Sequence, residues 1–140
     1  MSWTDKASIE HIKQLRDLFK VKALVETGTF KGLNVITHLD NFECIYSCEK
    51  LKEYYDYACD KVMKFWEDNG SKGNPYIYND DSKSFLKWFT KELYPTAHKN
   101  KTIIFYLDAH FYDPKLPKGK GKFVVLDELK SLKGFKNGII

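Results

Sequence analysis

Four short apolar segments, each closing on an acidic residue and each followed by a segment of helical period, constrain this chain more than anything else in it. Val21 to Val25 runs into Glu26, Phe42 to Ser47 ends at Cys48-Glu49, Tyr76 to Tyr78 is closed by Asn79-Asp80-Asp81-Ser82, and Thr102 to Leu107 ends at Asp108. Between them the apolar period changes to that of a helix. Ile9, Ile12, Leu15 and Phe19 open the chain, with Thr4 or Asp5 as cap; Leu33, Ile36 and Leu39 follow the first strand. Leu51, Tyr54, Tyr55, Ala58, Val62 and Phe65 mark a helix of about five turns. Phe85, Leu86, Phe89 and Leu93 face inward in the next, with Pro95 beyond its end. Val125, Leu126, Leu129 and Leu132 make a last helix, and Gly138-Ile139-Ile140 starts a further strand. Strands alternating with helices in this way predict an α/β fold with a mostly parallel sheet and right-handed crossovers.

At 140 residues the chain is one domain, residues 1–140, able to bury about two-thirds of its unfolded surface. Its 43% hydrophobic and 16% aromatic content exceeds what a disordered chain carries. The longest apolar run is Ile103 to Leu107, so no membrane span is expected, and no apolar run follows a basic N-terminus. Cys44, Cys48 and Cys59 make neither a CxxC pair nor a metal spacing, which predicts small buried hydrophobes in a reducing, cytoplasmic compartment. The net charge of +4 owes much to Lys115, Lys118, Lys120 and Lys122 in one Pro/Gly-punctuated loop. No aromatic residue is interleaved there as a stacking platform, which argues against a nucleic-acid partner.

In an open parallel sheet the ligand crevice lies outside the carboxyl ends of the strands. Glu26, Glu49, Asp80, Asp81 and Asp108 all stand at such ends, which predicts one shared site. The turn after the first strand reads Glu26-Thr27-Gly28-Thr29-Phe30-Lys31-Gly32. Its glycines permit a tight bend and a close approach to the main chain. Phe30 occupies the place of the middle glycine of a dinucleotide fingerprint, so a pyrophosphate ligand and a nicotinamide oxidoreductase are disfavoured. Glu49, 21 residues after Gly28, stands where a carboxylate accepts from ribose hydroxyls, or else caps the helix that follows. Asp81-Ser82 has the same two readings. His110, with an ordinary pKa near working pH, is a candidate general base or a hydrogen-bonded structural residue.

Val25 to Gly32, Ser47-Cys48-Glu49, Asn79 to Ser82 and Tyr106-Leu107-Asp108-Ala109-His110 together resemble the ordered motifs of class I S-adenosylmethionine-dependent methyltransferases. The Glu-x-Gly-x-aromatic-x-Gly variant is most similar to catechol- and caffeoyl-type O-methyltransferases and to relatives with a Leu-Asp-Ala-His strand end. The likeness spans roughly residues 8 to 140. It implies a Rossmann-like three-layer sandwich that binds S-adenosylmethionine and methylates a small-molecule hydroxyl or amine. Glu26, Thr27, Gly28, Thr29 and Gly32 would then hold the methionine end, Glu49 the ribose, and Asp81 and Ser82 would lie near the adenine. Asp108 matches the strand-end acid that binds Mg²⁺ beside the acceptor in the metal-dependent members.

The sequence departs from that family at its fifth strand, which begins only at Gly138. The C-terminal strands are therefore expected to be missing or incomplete, from truncation or because a partner supplies them, and a catalytically inactive cofactor-binding or structural Rossmann remnant is the alternative function. The same departure predicts an open edge on the fourth strand and a homo-oligomer formed through it.

Overall fold

The computed structural model describes residues 5–109 and 124–140. The lysines of the basic loop and His110 lie outside the described residues. A five-stranded, all-parallel sheet in the order β3-β2-β1-β4-β5 forms the middle layer. The strands are β1 (Ala23–Thr27), β2 (Cys44–Cys48), β3 (Asn74–Tyr78), β4 (Ile103–Leu107) and β5 (Gly138–Ile139). The helices are α1 (Lys6–Phe19), α2 (Leu33–His38), α3 (Lys52–Asn69), α4 (Ser82–Trp88), α5 (Tyr94–Ala97) and α6 (Val124–Ser131).

All five residues of β1 are buried, as a central parallel strand covered on both faces requires. Alternation along the strands divides the core. Leu24, Ile45 and Ile104 pack with Ile12, Val35 and Val62 of α1, α2 and α3. Val25, Tyr46 and Phe105 point the other way, to Phe85, Leu86, Phe89 and Leu132. Two apolar layers therefore sandwich the sheet, and the Rossmann-like architecture expected from the sequence is present. The chain leaves β1 toward β2 and β3, and returns to β4 on the opposite side. That reversal puts the crevice of the fold at the carboxyl ends of β1 and β4.

Two sequence expectations need correction. Pro95 does not stand beyond a helix end: Phe89–Leu93 continues α4 as a π-helical turn, and α5 carries Pro95 within it. The Tyr94 N–H bonds to the Phe89 carbonyl, five residues back. That wider turn accommodates the proline ring that a regular α-helix would reject. The second concerns α6, where most of the apolar residues that mark the helix do not point inward. Val125, Leu126 and Leu129 are exposed, while Glu128 and Leu132 are buried. The reason is polar and is given below.

The edge of β4 is half covered. Ile103 and Ile104 pair with Gly138 and Ile139, and the Ile103 N–H donates to Asn137 O at 2.8 Å. The pairing to β5 stops there, before Phe105 to Leu107. The Phe135 ring packs edge-on against Phe105, with centroids 5.3 Å apart. Among the described residues no helix is long and apolar enough to cross a membrane. Cys48 is buried, Cys44 and Cys59 are half-buried, and all three are free.

Candidate functional site

A cavity of about 840 Å³ opens at the carboxyl ends of β1, β2 and β4. It is large enough for a nucleoside-sized ligand with room beside it. Glu26, Glu49, Asp80, Asp81 and Asp108 all line it, so the strand-end acids do converge on one place. Gly28, Thr29 and Ser82 line it as well, whereas Thr27 and Gly32 do not.

The turn after β1 is shaped by contacts that exclude side chains. Gly28 has φ +80°, and a Cβ there would lie 2.5 Å from the Asp108 carbonyl oxygen. The glycine therefore lets the turn press against the end of β4. Gly28 and Thr29 both donate their N–H groups to Cys48 O, which ties the turn to β2. Phe30 also adopts a left-handed conformation, φ 51°. Its ring packs on Tyr54 of α3 with centroids 4.7 Å apart, giving the cavity an aromatic wall. Gly32 does a different job: a Cβ there would meet Val62 at 2.8 Å, so it sets how closely α2 packs on α3.

Glu26 forms the floor. It is 1% exposed and accepts from Ser47 Oγ at 2.7 Å and from Asn34 Nδ2. The Ser47 proton is thereby committed, so in the short Thr29–Ser47 contact Thr29 is the donor. Burial pushes the Glu26 pKa up to about 7 against the pull of the Ser47 and Asn34 hydrogen bonds, and the nearby Asp108 and Glu49 charges add to the rise. Beside it, Asn34 Oδ1 is buried with no hydrogen-bond partner. The floor is thus rich in acceptors and suits a cationic donor.

Glu49 stands at the wall, 9% exposed. Its two oxygens accept from the N–H groups of Phe30 (2.8 Å) and Leu51 (3.0 Å). One carboxylate therefore pins the glycine turn and the entry to α3 together. Each oxygen retains a lone pair toward the cavity. Asp81 caps α4, accepting from Ser84 N and Ser84 Oγ, both at 2.9 Å. Both readings of these acids are compatible with the geometry, since the capping residues also face the cavity.

Asp108 lines the cavity at the end of β4, where its backbone abuts the Gly28 turn. Among the described residues no group of three or more His, Cys, Asp or Glu side chains gathers to hold a metal ion. The expected magnesium at Asp108 therefore finds no support among the described residues.

The sequence reading missed Asn34, Ser47 and Glu128. Asn34 and His38 are both polar residues buried on α2 beside Val35, and the apolar period of Leu33, Ile36 and Leu39 singles out neither. Ser47 stood inside an apolar strand with nothing to single it out. Glu128 sat among Val125, Leu126 and Leu129, whose spacing outvoted it.

No family model and no curated protein matches the chain. Solved structures do. A protein assigned as a caffeoyl-CoA O-methyltransferase from Staphylococcus aureus superposes with a TM-score of 0.55 at 18% identity, over 91% of this chain and 53% of that one. The chain shares the fold of that protein. The O-methyltransferase TomG from Streptomyces achromogenes, solved in complex with S-adenosylmethionine, gives 0.51 at 15% identity, over 91% of this chain and 51% of TomG. The chain spans about half the length of these methyltransferases.

Two outcomes follow from the site. Gly28→Val combines a strained φ with a backbone clash, so it lowers the thermal midpoint and abolishes ligand binding; a variant with unchanged midpoint and affinity contradicts the turn geometry. The second concerns pH. Glu26 keeps its proton in the fold over a range where the unfolded chain, with its pKa at 4.5, has lost it. The Glu26 contribution to stability therefore falls as pH rises from about 4.5 to about 7 and levels off above, while His38, whose burial lowers its pKa to about 4, contributes a slope of the opposite sign. Urea titrations should show Glu26→Gln losing that slope, with a change in the difference between the two proteins on the order of 3 kcal/mol.

Proposed function

We propose that this chain binds S-adenosylmethionine in the strand-end cavity and belongs to a methyltransferase that acts on a small-molecule hydroxyl or amine. One observation carries the reading. The buried acceptor pair of Glu26 and Asn34 Oδ1 sits directly beneath the glycine turn, where the ammonium of an amino-acid moiety supplies both the charge and the N–H donors. The fold neighbours are O-methyltransferases, and one of them was solved with S-adenosylmethionine.

Residue roles follow from position. Glu26 and Asn34 receive the ammonium, while the backbone of Gly28 and Thr29 shapes the turn around the methionine end. Glu49 accepts from ribose hydroxyls on the lone pairs that Phe30 and Leu51 leave free. Asp81 and Ser82 border the adenine end, and Phe30 with Tyr54 closes the apolar side. When bound, the cofactor supplies a methyl group on a sulfonium centre. Asp108, at the end of β4 beside the turn, orients the acceptor and takes its proton. A structural remnant without chemistry has no use for a buried carboxylate held near neutrality beneath a cavity, and is the weaker reading.

Calorimetry with S-adenosylhomocysteine, NAD and a short oligonucleotide tests the ligand class; only the first is expected to bind. Glu49→Ala should weaken it by about 1.5–3 kcal/mol with the circular dichroism unchanged. Unchanged affinity removes the ribose assignment. Asp108→Asn should retain S-adenosylhomocysteine affinity while losing methyl transfer to a panel of phenols and amines. Loss of cofactor binding in that variant instead places Asp108 in the cofactor shell.

A further inference from the structure

Helix α6 turns an acid into the protein and leaves three apolar side chains outside. Glu128 is 1% exposed, whereas Val125, Leu126 and Leu129 are 45%, 49% and 41% exposed. Apolar burial alone favours the opposite rotation, because a buried carboxylate costs several kcal/mol unless it is well paired. Among the contacts that hold the helix in this orientation is a hydrogen bond across 101 residues of sequence: Thr27 Oγ1 donates to Glu128 Oε2 at 2.8 Å.

The direction of that bond is forced. The Thr27 hydroxyl also accepts from Asp108 N at 3.0 Å and from Ala109 N at 3.2 Å. A hydroxyl has two acceptor lone pairs and one proton. With both lone pairs engaged, the proton goes to Glu128. The Asp108–Ala109 backbone held by this hydroxyl is the same backbone that the Gly28 turn presses against. Val124 and Asp127, on the preceding turn of α6, line the cavity.

We propose that Glu128 is a positioning residue: acting through Thr27, it fixes the Asp108–Ala109 backbone against the glycine turn and docks the α6 wall of the cavity onto β1 and β4. It accounts for the exposed apolar face of α6 and for Thr27 facing away from the cavity. Its consequence for cofactor affinity rests on the function proposed above, whereas the backbone clamp does not.

The test uses the full chain and three substitutions. Glu128→Leu removes the acceptor but keeps an apolar side chain of similar size, Glu128→Gln keeps an oxygen that accepts from the hydroxyl, and Thr27→Val removes the relay. Glu128 is expected to control amide resonances it does not touch. In ¹⁵N spectra Glu128→Leu should shift the Ala109 and Gly28 amides and weaken S-adenosylhomocysteine at least fivefold. Thr27→Val should do the same, the double variant should be no worse than either single, and Glu128→Gln should stay within twofold of the parent. A packing role alone moves the thermal midpoint and leaves those amides in place. Unmoved amides in Glu128→Leu overturn the proposal, as does Glu128→Gln losing as much affinity as Thr27→Val. Should Glu128→Leu not fold, the comparison of Glu128→Gln with Thr27→Val decides it. If the parent itself binds no S-adenosylhomocysteine, the cofactor reading fails while the amide shifts still judge the clamp.

Discussion

A carboxylate buried in the central strand of the sheet is the constraint on which the site depends. Glu26 has no cation beside it among the described residues, so its position is affordable only through neutral donors and a partly retained proton. Those donors come from two different elements, Ser47 on β2 and Asn34 on α2, and Thr29 in the turn completes the chain. Three segments are thereby aligned on one carboxylate before any ligand arrives. Pre-alignment of this kind lowers the ordering cost of binding.

The two ends of the cavity are built by different physics. On the β2 side, charged groups hold backbone: Glu49 grips the turn and the start of α3, and Asp81 caps α4. On the β4 side, backbone packs against backbone, and only a glycine fits where Gly28 meets Asp108. The first arrangement presents carboxylates to the cavity, and the second fixes Asp108 beside the turn. In the function proposed above, the first serves the cofactor and the second the acceptor.

Much of the fold was legible in the sequence because parallel strands buried on both faces read as continuous apolar runs, and the turn chemistry after each is polar. The acids at the strand ends were legible for the same reason. What escaped was set by tertiary contacts. Val125, Leu126 and Leu129 mark the exposed side of α6 and Glu128 its buried side, and the Thr27 hydrogen bond that helps hold this acid inward is absent from any local pattern. Pro95 read as a helix end because periodicity does not reveal a π turn, whose extra residue makes room for the ring. Asn34 and Ser47 gained meaning only once β1, β2 and α2 were side by side.

The central claim is that the Glu26–Asn34 floor receives a cationic amino-acid group, and its most direct test is proton linkage. An ammonium beside Glu26 lowers the pKa of the carboxylate from about 7, so binding expels a proton. S-adenosylhomocysteine titrated calorimetrically between about pH 5.5 and 7.5, in buffers of different ionisation enthalpy, should bind more tightly as pH rises and release a fraction of a proton near neutrality. Glu26→Gln should bind more weakly with no such dependence. Affinity that is flat with pH in the parent, with no buffer-dependent heat, would contradict the account.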